Sequence, residues 1–156
     1  MNVTLRAMTI DDYPEVMSLW RQTEGVGLTE SDSEEGIDAF LRRNPGMSAV
    51  AVATSGELLG AVLCGHDGRR GYLHHLAVVP SRRRQGVASQ LISWCFRGLA
   101  DQDIQKCNVF LLDSNEGGSS FWRHNGWSHR HDLRVFQKAV TSTQGGRERG
   151  GNLWTG

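Results

Sequence analysis

The sequence predicts a mixed α/β domain, and three observations carry that reading. Residues 47–54 (MSAVAVAT) and 58–65 (LLGAVLCG) are apolar runs separated by Ser55-Gly56-Glu57, the spacing and composition of a hairpin. A short turn at residues 66–71 (HDGRRG) leads into a third apolar run, so three sequential strands form an antiparallel meander. An amphipathic helix and a fourth apolar run at residues 106–112 (KCNVFLL) come next. A strand–helix–strand unit sets its two strands parallel.

The elements follow in order along the chain. Residues 3–8 (VTLRAM) read as a first strand, and Asp12-x-x-Glu15 has capping-box spacing with Asp in place of Ser or Thr. Pro14 falls in the first turn of the helix that follows, where its missing N–H costs little. That helix buries Val16, Leu19 and Trp20 and runs out at Gly25. A flexible loop over residues 24–30 carries Glu24 and Glu30. Ser33 starts a second helix with Ile37, Phe40 and Leu41 on one face, and Asn44-Pro45-Gly46 ends it.

After the meander, the helix at residues 86–100 shows Ala88, Leu91, Ile92, Cys95, Phe96 and Leu99 as one apolar stripe. Beyond the strand at 106–112, Asn115 caps a short helix holding residues 119–124, and Gly126 stops it. Residues 130–140 supply a last strand. The domain is therefore assigned to residues 1–140, and residues 141–156, rich in Gly, Ser, Thr and Arg, to a flexible tail. Trp154 in that tail is either loosely held or docks on a partner subunit or on this domain, and a homodimer is a candidate assembly.

Composition narrows the class. A chain of 156 residues suits one domain with a sizeable core. Its 17 basic and 17 acidic residues cancel, so no global charge directs it to nucleic acid or to an anionic membrane. No apolar run reaches spanning length and the N-terminus lacks a signal-peptide pattern, which points to the cytoplasm. Cys64, Cys95 and Cys107 each lie in an apolar stretch and lack metal-ligand spacing, so they read as buried free thiols in a reducing compartment. His124, His129 and His131 come with no carboxylate or cysteine in a familiar ligand pattern, so no metal is expected.

The stretch that organises the chain is residues 71–99. An apolar strand ends at Pro80, and the basic turn Ser81-Arg82-Arg83-Arg84-Gln85-Gly86 opens the striped helix. Helix N-terminal amides lack internal partners and sit at the positive end of the dipole, so this arrangement is an anion site. Gly86 removes the Cβ that would keep an oxygen from the backbone, and the arginines add charge-assisted hydrogen bonds. Arg83-x-x-Gly86-x-Ala88 resembles the (Gln/Arg)-x-x-Gly-x-(Gly/Ala) signature of the GNAT N-acetyltransferase superfamily, and Leu76-Ala77-Val78-x-Pro80 is similar to that family's fourth strand. A second signature of the family, Asn-x-x-Ala-x-x-(Phe/Leu)-Tyr-x-x-x-Gly-Phe, is matched by Asn115, Phe121, Gly126 and Trp127, with Gly118 and Trp122 replacing the alanine and tyrosine. His66-Asp67-Gly68-x-Arg70-Gly71 is similar to small bacterial members of the YpeA type.

The resemblance covers residues 3–140 and implies a mostly antiparallel sheet with splayed fourth and fifth strands and helices on both faces. It implies acetyl-CoA as co-substrate and no metal. The pantetheine would run along Leu76, Ala77 and Val78, and the pyrophosphate would lie on Arg83, Arg84, Gln85, Gly86, Val87 and Ala88. Asn115 and Trp122 of the second signature would complete the coenzyme site. The family's oxyanion donor is a backbone N–H at the bulged strand, here near Ala77 or Val78.

Acetyl transfer to an amine needs a base for the ammonium proton, an oxyanion donor and help for the leaving thiolate. His74 and His75 are the natural bases, with an ordinary pKa near ~6.5. Strand alternation sends them to opposite faces, His74 with Tyr72 and Leu76, His75 beneath a helix. Arylalkylamine members of the superfamily have a histidine two residues before the Leu-Ala-Val, which favours His74. Glu24 and Glu30 border the implied acceptor site as anchors for a cationic amine or a base through water. The family's tyrosine acid is Trp122 here, and indole N–H is no practical acid, so Ser119, Ser120 or water takes the role. The resulting reading is an N-acetyltransferase acting on a primary amine of a small molecule or peptide. The alternative is a non-catalytic acyl-CoA-binding or sensing module.

Overall fold

The computed structural model describes residues 2–140. The proposed tail at residues 141–156 lies outside them. Clustering of the chain gives two compact units, one ending at Phe121 and the other beginning at Trp122. Strands β1 (Val3–Ala7), β2 (Ala49–Ala53), β3 (Leu58–His66), β4 (Gly71–Val78) and β5 (Cys107–Val109) form a single sheet in sequential order. The first four are antiparallel neighbours, and β5 runs parallel to β4. The helices are α1 (Tyr13–Gln22), α2 (Glu34–Arg43), α3 (Val87–Asp101) and α4 (Glu116–His124).

Both faces of the sheet are covered, as the doubly apolar β3 requires. On one face Val16, Met17 and Trp20 of α1 and Ile37 of α2 share a core with Val50, Ala61, Leu63 and Ala77. On the other face α3 buries Val87, Leu91, Cys95 and Leu99. A Cβ at Gly71 would lie 2.6 Å from Leu99 Cδ2, so the entry to β4 admits only glycine beneath α3. Ser33 caps α2, its Oγ accepting from the Gly36 N–H at 3.0 Å.

Three local expectations are corrected. Asp12 does not cap α1; its carboxylate accepts the Thr9 N–H and a bidentate pair from Arg6, closing the 3-10 turn Ile10–Asp12 before the helix. The strand expected over residues 106–112 is only three residues long, because its ladder with β4 ends at Leu73–Val109. Residues 130–140 form turn and irregular chain with no strand. Alternating Leu133 and Val135 give strand propensity, but propensity makes a strand only within a ladder, and every residue of this run is exposed.

Cys64 and Cys95 are buried, Cys107 is half-buried, and none is in a disulfide. Contact with Cys64 and burial push the Cys95 thiol up, and burial pushes Cys107 up to about 12. None of these shifted thiols is a thiolate at neutral pH. Among the described residues, no helix is long and apolar enough to cross a membrane.

Leu91 is fully buried between α3 and the sheet. Leu91→Ala is expected to lower the unfolding free energy by about 2–5 kcal/mol, read from the urea midpoint at constant m-value.

Candidate active site

Strand β4 is the element on which the site is built. It pairs with β3 along its whole length but with β5 only at Gly71, Tyr72 and Leu73. From His74 onward its second edge faces no strand among the described residues, so the fourth and fifth strands splay. On the β3 side the ladder slips: Ala77 pairs with Ala61 and His74 with Leu63, leaving His75 and Leu76 together opposite Val62. That is a bulge, and His75 takes the left-handed backbone it requires, with φ 55°.

The bulge decides where the two histidines point. Alternation had placed them on opposite faces; the left-handed turn at His75 brings both to the face covered by α1 and α2. The His74 ring lies 6.0 Å from Phe40 of α2, the His75 ring 5.0 Å from Trp20 of α1, and the two imidazoles are 6.5 Å apart. Burial holds the His74 pKa below the usual histidine value, with a contribution from His75 against the opposing pull of Asp32. His74 is therefore a neutral ring at neutral pH, free to accept a proton. It also walls a cavity of about 200 Å³ with Phe40, Tyr72, Arg43 and Asp67.

Beyond β4, Pro80–Arg82 makes a 3-10 turn and α3 starts at Val87. Arg84 and Gly86 both lie in the left-handed region, at φ 60° and 83°. A Cβ built on Gly86 would meet nothing within 4 Å, so the ground in front of the first amides of α3 is open. The Arg83 Nε–H donates to the Val78 carbonyl at 3.1 Å and the Gln85 amide to the Ser81 carbonyl at 3.2 Å. Arg83 thus ties the turn to the end of β4, and Arg84 remains exposed beside it. No acidic residue stands in the first turn of α3. Val87 is buried and Ala88 half-buried, anchoring the helix end from below.

The loop between α1 and α2 meets the start of α4 in the first unit. A Cβ at Gly25 would lie 2.6 Å from Asn115 Nδ2, and the Asn115 Oδ1 accepts the Gly118 N–H at 2.8 Å as the cap of α4. Ser119 is half-buried in the first turn, its N–H donating to the Asn115 carbonyl. Glu24 and Glu30 are both exposed. The carboxylate of this loop that reaches β4 is instead Asp32, buried, with Oδ1 2.9 Å from His75 Nε2. Sequence reasoning named His75 and set it beneath a helix, where its ring meets Trp20 of α1, but missed Asp32 and the pairing. The Thr29-x-x-Asp32 capping-box spacing was a signal for Asp32. In the second unit Trp122 is buried, with Trp127 edge-to-face at 4.6 Å.

These elements, a bulged and half-paired strand running through a basic glycine turn into a helix N-terminus, define a mixed α/β fold with one strand edge left open among the described residues. Residues 13–127 match the acetyltransferase (GNAT) family, and the chain belongs to that family. It is 30% identical over 140 residues to an acetyltransferase of Sodalis glossinidius, covering 90% of this chain and 97% of that one. The PaiA N-acetyltransferase from Thermoplasma acidophilum, solved in complex with coenzyme A, shares the fold with a TM-score of 0.72 at 18% identity, over 82% of this chain and 91% of that one. AAC(6')-Iy, solved with the bisubstrate analogue CoA-S-monomethyl-acetylneamine, matches with a TM-score of 0.69 at 18% identity, over 90% and 100% of the two chains.

Asn115→Ala removes the α4 cap and is expected to cost about 0.5–2 kcal/mol; an unchanged urea midpoint would show that the side chain contributes no cap in solution.

Proposed function

We propose that the chain is an acetyl-CoA-dependent N-acetyltransferase that acetylates a primary amine of a small molecule or peptide. The observation that carries this reading is the open anion turn at Gly86 continuous with the unpaired edge of β4. One segment offers main-chain amides and cations for a pyrophosphate, and the next offers strand edge for a pantetheine amide chain. Arg83, Arg84, Gln85, Gly86, Val87 and Ala88 would hold the first, and Leu76, Ala77 and Val78 the second. The coenzyme A complex of the Thermoplasma protein and the bisubstrate analogue of AAC(6')-Iy support the same pairing of ligands.

The reaction joins the amine nitrogen to the acetyl carbonyl carbon and releases the thiolate. His74, neutral because it is buried, takes the ammonium proton directly or through one water. A main-chain N–H near Ala77 or Val78 stabilises the oxyanion. The thiol's ordinary pKa of about 8.5 lets it leave with little help, and Ser119 or water supplies its proton. Glu24 at the exposed loop attracts the cationic acceptor. Much of the acceleration comes from holding two reactants side by side.

Trp122 favours a second reading, a non-catalytic acyl-CoA-binding module, since indole cannot replace the tyrosine acid. Calorimetric titration with acetyl-CoA, desulfo-CoA and ATP, followed by thiol release with an amine panel, separates the two. Binding of both coenzymes over ATP with thiol release is expected; binding without release would favour the module. Gly86→Glu should abolish coenzyme binding while the circular dichroism spectrum is retained, and undiminished affinity would remove the turn from the site.

The pH dependence has a definite sign. kcat/KM should rise with pH through the deprotonation of His74, with a midpoint below the ordinary histidine value. His74→Ala should remove that limb and lower kcat/KM by about 10²-fold or more. An unaltered profile would exclude His74 as the base.

A further inference from the structure

We propose that His75, clamped between Asp32 and Trp20, is a positioning residue of the transfer site that holds the β4 bulge open. This rests on the acetyl-transfer reading of the same strand. Three contacts converge on the residue. The Trp20 Nε1–H donates to the His75 carbonyl at 2.9 Å, the His75 ring packs edge-on against that indole, and Nε2 meets the Asp32 carboxylate at 2.9 Å. Trp20 is completely buried. Main chain and side chain of one left-handed residue are thus both held by the α1–α2 segment.

Asp32 is itself fixed. Its Oδ2 accepts the Thr29 N–H at 2.9 Å, and the Tyr13 hydroxyl donates to its carbonyl at 2.7 Å. A carboxylate only accepts, so Nε2 of His75 carries the hydrogen in this contact. The pair therefore links the loop bordering the acceptor side to the bulge bearing the oxyanion donor. Cutting it lets His75 leave the left-handed region and the strand return toward regular pairing.

The same pair acts on His74 electrostatically. The titratable and charged groups around His74 are His75 and Tyr72 on β4, Asp32 from the loop, Arg43 from α2, and His66 and Asp67 at the end of β3. Of these, His75 opposes a proton on His74 and Asp32 favours one. Replacing the imidazole while leaving Asp32 in place is expected to raise the His74 midpoint.

The test is an NMR titration of the histidine rings, with kcat and KM against pH, in the wild type, His75→Gln, His75→Asn and Asp32→Ala. Glutamine keeps a donor for Asp32 without a titrating charge, and asparagine tolerates the positive φ but is too short to reach Asp32. Expected are an upward shift of the His74 midpoint and of the acid limb of kcat/KM in His75→Gln. His75→Asn and Asp32→Ala should each lose kcat by about a hundredfold, with the KM for acetyl-CoA unchanged. A folded His75→Asn whose Leu76, Ala77 and Val78 amide chemical shifts match those of the wild type overturns the inference, whether or not the wild type releases thiol. So does full kcat in His75→Asn. Failure of the wild type to release thiol from acetyl-CoA with any amine overturns the transfer reading.

Discussion

Strand β4 has two neighbours of opposite direction, and it satisfies both for only three residues. The crossover through α3 brings β5 alongside in parallel, while β3 runs antiparallel on the other edge. A bulge opposite Val62 then increases the local twist and carries the end of β4 away from β5. The gap between the strands, the aim of the turn at Gly86 and the shared face of the two histidines all descend from that slip. A regular β4 would pair on both edges and leave no strand edge for a ligand.

The slip is held from outside the sheet as well as within it. A histidine in left-handed backbone is unfavourable, and strain of this kind persists only where surrounding contacts over-determine it. Trp20 and Asp32 supply those contacts from the helical layer. The α1–α2 segment thus covers the apolar face of the sheet and also fixes the irregularity in β4. Packing and site geometry share residues here: Trp20 buries its ring in the core and spends its one polar group on a β4 carbonyl.

Much of this architecture was legible in the chain because its signals are local. The hairpin turn at Ser55-Gly56-Glu57, the stripe of α3, Ser33 before α2 and Asn115 before α4 each act within a few residues, and each element stands where its signal lies. The splay of β4 and β5 came through family resemblance, since no pattern within either strand encodes where a ladder stops. What sequence reasoning lost was non-local. The alternation rule assumes regular pleat, so His74 and His75 were sent to opposite faces. Asp32 gained its role from a partner 43 residues away. Residues 130–140 have the alternation of a strand without the neighbour that would make them one.

The shortness of β5 has a consequence for motion. Three ladder positions, at Cys107, Asn108 and Val109, are all that attach it to the sheet, whereas β3 and β4 share a long ladder beneath two helical layers. Opening the β4–β5 seam breaks few hydrogen bonds, and the β5 side chains it releases are only half-buried, so it requires far less free energy than global unfolding. Amides of β5 accordingly exchange with solvent through a local opening, those of β3 only when the whole unit unfolds. The sheet thus carries a built-in seam where β4 and β5 part, joined at three ladder positions only.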